Sequence, residues 1–74
     1  MSKTINELGG ILSNMYTNAI KGEQVMMIHL FGIKYSDDIK KVGIQEVIVQ
    51  SGIRSSYRTE LNKGVKLSKY VRPK

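Results

Sequence analysis

The chain has 74 residues, of which 41% are hydrophobic, with 12 Lys and Arg against 6 Asp and Glu and no Cys. That length predicts one domain over residues 1–74, and the apolar fraction is that of a chain that folds rather than one that stays disordered. Without Cys there is neither a disulfide staple nor a thiolate metal site, and the net charge of +6 points to a polyanionic partner.

A chain this short without staples needs efficient helix packing or a partner subunit. No apolar run approaches the roughly 18 residues of a membrane span, and the N-terminus lacks a signal-peptide pattern. The expectation is a cytoplasmic protein with no membrane partner.

Residues 4–20 read as the first helix. Thr4 and Glu7 have capping-box spacing, in which each side chain satisfies a free amide of the other. Ile5, Leu8, Leu12, Met15, Tyr16 and Ala19 then recur along one face. Gly9-Gly10 costs about 1 kcal/mol per Gly relative to Ala in a helix interior, unless another helix packs closely there. No strand precedes the pair and no Gly-Lys-Ser/Thr follows it, so it is not a phosphate-binding loop. Lys21-Gly22 is the expected helix end.

Residues 23–42 are the most apolar stretch. Val25 to Phe31 is long enough for a strand, but it does not alternate. Read as a helix, Ile28, Phe31, Tyr35, Ile39 and Val42 form one stripe, with a break near Gly32 or a restart at Ser36, where Asp37 and Asp38 suit a helix N-terminus. Val25, Met26, Met27 and Leu30 widen the apolar surface beyond that stripe. A helix of this kind is buried on two sides or keeps one face for a second subunit.

His29 is the only histidine, and no second His or Cys completes a metal site around it. Asp37-Asp38 has no partner base. No nucleophile, base and orienting group come together, so the chain reads as a non-enzyme with no metal and no cofactor.

Lys41-Val42-Gly43 leads into the stretch Ile44 to Gly64. Ile44, Val47 and Ile48 put an apolar stripe on a short helix, and Ser51-Gly52 stops it. Ile53 is an apolar plug, and Ser55 or Ser56 is placed to N-cap a second helix that buries Tyr57 and Leu61 and ends at Gly64. The opposite side carries Ser55, Arg58, Thr59, Asn62 and Lys63. A short polar helix held by a Gly-containing turn is what a helix-turn-helix needs.

Over residues 44–64 the chain resembles the helix-turn-helix family of DNA-binding proteins. Glu46-Val47, Gly52 and Ile53 stand where the family usually has them. Ile48 is bulky where the family favours a small residue, and Arg58 stands where a core aliphatic is usual, Tyr57 taking the core role here. The resemblance implies that the second helix enters a major groove of double-stranded DNA.

After Gly64, Val65, Leu67 and Tyr70 alternate with Lys66 and Lys69, and Leu67 to Val71 suits a short strand closed by Pro73. Such a strand would begin a minimal wing, as in winged-helix relatives. Charge follows the same division. Residues 1–43 hold five Lys against four Asp/Glu, whereas residues 44–74 hold seven Lys/Arg against two Glu.

The expected fold is mainly α, a helix-turn-helix domain of three or four helices with a short C-terminal β-strand. The expected function is DNA binding by a small transcriptional regulator. Ser55, Ser56, Arg58, Thr59 and Asn62 would face base edges, while Arg54, Lys63, Lys66, Lys69 and Arg72 would contact phosphates. The expected partners are double-stranded DNA and a second copy in a homodimer. The alternative is a protein-interaction module or inhibitor whose basic face docks an acidic protein. RNA binding is weaker, because no platform of stacked aromatics is evident.

Overall fold

Local spacing decides where the helices start, and the computed structural model, which describes residues 3–71, shows five of them: α1 Ile5–Thr17, α2 Gln24–Lys34, α3 Ser36–Val42, α4 Ile44–Ser51 and α5 Arg58–Leu67, the last entered through a 3-10 turn at Ser55–Tyr57. The capping box opens α1 as expected. The Thr4 amide donates to Glu7 Oε1 at 2.9 Å and the Glu7 amide donates to Thr4 Oγ1 at 3.2 Å. These bonds hold the Glu7 carboxyl below the usual carboxylate range, the Thr4 amide contributing most.

The first helix ends earlier than its apolar pattern suggests. It stops at Thr17, with Asn18 as its C-cap, so Ala19, Lys21 and Gly22 lie in the loop to α2. The stripe through residues 23–42 is right, but it runs over two helices. The break falls at Tyr35 between α2 and α3, so the expected restart at Ser36 is the alternative the structure takes, and Gly32 lies inside α2. Among the described residues the α-helices therefore number five rather than three or four.

The core is the set of inward faces these helices share: Leu8 and Leu12 from α1, Ile28 and Phe31 from α2, Ile39 from α3, Val47 and Ile48 from α4, and Leu61 and Val65 from α5. Each fully buried aliphatic or Phe contributes about 1.5–3 kcal/mol relative to an exposed position. Met15, Tyr16, Tyr35, Val42, Ile53 and Tyr57 close the rim. Tyr57 is thus a rim residue, half-buried, and not the core residue expected from its spacing.

Glycines set how closely the helices approach. A Cβ on Gly64 would stand 2.5 Å from the His29 carbonyl oxygen, and one on Gly32 would stand 2.9 Å from the Leu61 carbonyl oxygen and 3.0 Å from Gly64 Cα. α2 and α5 therefore cross backbone against backbone at these two residues. A Cβ on Gly9 of α1 would stand 2.5 Å from the Gln50 side chain of α4 and 3.0 Å from its backbone, whereas a Cβ on Gly10 meets nothing within 4 Å.

Gly64 does not end α5, because it lies inside this crossing and the helix continues to Leu67. The expected C-terminal strand is also absent among the described residues. Ser68 to Tyr70 wind on as turns, with the Tyr70 and Val71 amides donating to the Leu67 carbonyl at 2.8 and 3.0 Å. A strand needs a neighbour to receive its amides, and this segment satisfies them within itself. Without a strand among the described residues, the expected start of a wing is not seen. No helix among the described residues is long and apolar enough to cross a membrane.

Candidate nucleic-acid interface

The first helix of the motif, α4, follows Gly43, whose φ of +100° turns the chain sharply out of α3. Val47 and Ile48 bury the apolar stripe of α4. Its end is built by two residues. Gly52 takes the left-handed conformation, φ +79°, and its amide reaches the Ile48 and Val49 carbonyls. Ser51, 8% exposed, donates its hydroxyl to the Ile48 carbonyl at 2.7 Å and accepts the Ile53 amide at 3.3 Å. One small side chain thus ties the end of α4 to the turn. Gly52, Ile53 and Arg54 form that turn, with Ile53 half-buried against the core as the expected plug.

The second helix starts without the expected serine cap. Neither Ser55 nor Ser56 bonds a helix amide through its side chain, and both are exposed in the 3-10 turn. The tight turn replaces the cap, the Tyr57 amide donating to the Arg54 carbonyl at 3.0 Å. Tyr57 is fixed from the side by α1. Its ring centroid lies 5.4 Å from that of Tyr16, and the Tyr16 hydroxyl donates to the Tyr57 hydroxyl at 3.4 Å, which raises the Tyr16 pKa.

Helix α5 has two sharply different sides. Leu61, Gly64 and Val65 face inward. Thr59, Lys63 and Lys66, at i, i+4 and i+7, are exposed and form one outward stripe, with Arg58 exposed and Asn62 half-buried along its edge. Arg54 lies exposed before the 3-10 turn and Lys69 exposed after the helix. Arg72 lies outside the described residues. The structure therefore brings Ser55, Ser56, Arg58, Thr59, Asn62, Lys63 and Lys66 onto one helix and its entry.

Two links within this surface join residues too far apart in the chain for spacing to reveal. Arg58 donates a guanidinium hydrogen bond to Gln45 Oε1 at 3.0 Å, joining the start of α5 to the start of α4 across 13 positions of sequence. Glu60 accepts His29 Nε2–H at 2.7 Å and lies 3.7 Å from the Lys63 ammonium. The His29 hydrogen bond first, and the Lys63 charge after it, hold the Glu60 carboxyl below its usual range against the opposing effect of burial. His29 is thus a half-buried boundary residue, and its ring reaches across the glycine crossing to α5. Beyond the stripe, Lys63, Lys66, Leu67 and Tyr70 line a shallow apolar depression.

No group of three or more His, Cys, Asp and Glu residues that could hold a metal ion occurs among the described residues. What the arrangement can do is present hydroxyl, amide and cationic groups on a convex helix side, which suits an extended anionic surface better than a small molecule. A family model described as an HTH-like domain matches residues 4–74. No curated protein and no solved structure matches the chain.

Proposed function

The chain belongs to the HTH-like domain family, and from that premise we propose that it is a binding protein rather than an enzyme, one that docks α5 in the major groove of double-stranded DNA. The observation that carries this reading is the outward stripe of Thr59, Lys63 and Lys66, uncovered by any other helix and opposite the buried face of the same element. Ser55, Ser56, Thr59 and Asn62 supply short polar groups for base edges near the N-terminal half of the helix, where such helices read DNA. Arg54, Lys63, Lys66, Lys69 and Arg72 supply phosphate contacts, which position the protein without specifying sequence. Arg58, oriented by Gln45, keeps further guanidinium donors for a guanine edge or a phosphate. A small transcriptional regulator is the role this surface fits.

The test is a duplex titration at several salt concentrations with the native chain and the triple variant Lys63→Ala, Lys66→Ala, Lys69→Ala. Loss of three phosphate contacts should weaken binding to every sequence alike and lower the salt slope by about 3. An unchanged affinity and slope would reject the stripe as the DNA-facing side.

A further inference from the structure

Helix α2 is apolar on two sides. Its inner side buries Ile28, Phe31 and Gly32. On its outer side Met26 is 59% and Leu30 36% exposed, with Met27 and Ile33 half-buried beside them. A helix that is hydrophobic all round is ordinarily covered on both sides, and an apolar patch rimmed by charge marks an interaction surface.

The charges on that side say what covers it. Glu23, Met27, Leu30 and Lys34 fall at i, i+4, i+7 and i+11, so one row runs from a carboxylate at the start of α2 to an ammonium at its end. Among the described residues neither Glu23 nor Lys34 has an ion-pair partner, although the Lys34 ammonium lies 5.6 Å from the centre of the Tyr35 ring. Reversed by a two-fold axis, this row is complementary to itself: acid meets base at both ends and apolar side chains meet in the middle.

We propose that the outer face of α2 is a self-association surface on which a second copy docks with its α2 antiparallel. Each Glu23 then faces Lys34 of the partner subunit, with Met26, Leu30 and Ile33 packed across the axis. Leu61 and Gly64, which meet α2 at the glycine crossing, lie on the side of α5 opposite the exposed Thr59, Lys63 and Lys66, so docking on the outer face of α2 leaves that stripe uncovered. One face of this 11-residue helix, about 16 Å long and about 10 Å wide, covers far less than the ~800 Å² per partner of a standard interface, so the dimer is weak and reversible. The inference does not depend on nucleic-acid binding, since it is read in the free protein.

Sedimentation equilibrium of the full chain at low salt, from about 5 to 500 µM, tests it. The expected result is a concentration-dependent rise from the 8.3 kDa monomer toward twice that mass. Leu30→Glu abolishes the rise; should that variant lose its helical circular dichroism, Met26→Glu at the more exposed position gives the same reading. Glu23→Lys and Lys34→Glu each weaken association by about three- to tenfold, because two symmetric pairs become repulsive, and the combined Glu23→Lys, Lys34→Glu chain recovers native association. A monomer at every concentration overturns the proposal. So does a combined variant that associates no better than the single ones, because only the antiparallel arrangement is restored by exchanging the two charges.

Discussion

The two sides of α5 are made by opposite means. Toward α2 the helix comes down to backbone at one residue: Gly64 lies against the His29 backbone, and Gly32 of α2 lies against the Leu61 and Gly64 backbone. Toward solvent it carries long ones, Lys63 and Lys66, with Thr59 between them and the helix entry. The first side tolerates no added atom, and the second tolerates almost any. A recognition helix needs both, because a side chain can read a groove only if the backbone beneath it is held in one place. The α2–α5 crossing is therefore what makes the outer stripe a defined surface, and the His29–Glu60 hydrogen bond at its edge adds a polar link between the same two helices.

The largest way to break this division is to put an atom into the crossing. Gly64→Ala sets a methyl group 2.5 Å from a backbone carbonyl that cannot move without shifting α2. It should cost about 2–3 kcal/mol in denaturant melts, even though Ala is the better helix former. The same substitution at Gly10, exposed with open space around it, should instead stabilise by about 1 kcal/mol. Equal effects at the two positions would mean that α2 and α5 are not in backbone contact.

A smaller effect is expected at the entry to α5, where neighbouring residues sit on opposite sides. Tyr57→Ala removes a half-buried ring that packs on Tyr16. It should cost about 1–2 kcal/mol, less than the ~3 kcal/mol or more of a fully buried aromatic. Arg58→Ala, at an exposed position with one hydrogen bond to Gln45, should stay within about 0.5 kcal/mol in the same melts. If Arg58→Ala were the more destabilising, the start of α5 would be rotated by one position and the outward stripe would be a different set of residues.

The smallest effect concerns pH. The Glu60 carboxyl titrates below its usual value in the folded chain, chiefly because of the His29 hydrogen bond. A depressed folded pKa contributes stability that is full above the ordinary glutamate value of 4.5 and lost as pH falls through the lower folded value. Glu60→Gln should therefore flatten the fall in stability between about pH 5 and pH 3, leaving the share that belongs to Glu7. Melts of the two chains across that range should converge at the acid end. Parallel curves would show that the His29–Glu60 contact contributes nothing through charge.

What the sequence determined by itself is local. The capping box of Thr4 and Glu7, the stripe from Ile28 to Val42 and the helix stop at Gly52 all depend on groups within four residues of one another, so spacing reveals them directly. The outward positions Arg58, Thr59 and Lys63 of α5 were legible for the same reason, as the complement of Leu61, whereas Lys66 was expected beyond the helix end at Gly64 and lies on the helix instead. Tertiary structure decided the rest, because each remaining feature needs a partner distant in the chain. Gly64 looks like a helix end until α2 lies against it; then it is the one residue small enough to let α5 continue. Gly9 and Gly10 are indistinguishable in sequence, and only the position of Gln50 on α4 tells the close contact from the open one. Tyr35, not Gly32, divides the apolar stripe, since Gly32 is held inside the crossing. Residues 67–71 alternate as a strand would, but alternation describes only which way side chains point. A strand exists when a neighbour receives its backbone hydrogen bonds, and here the Leu67 carbonyl receives them first.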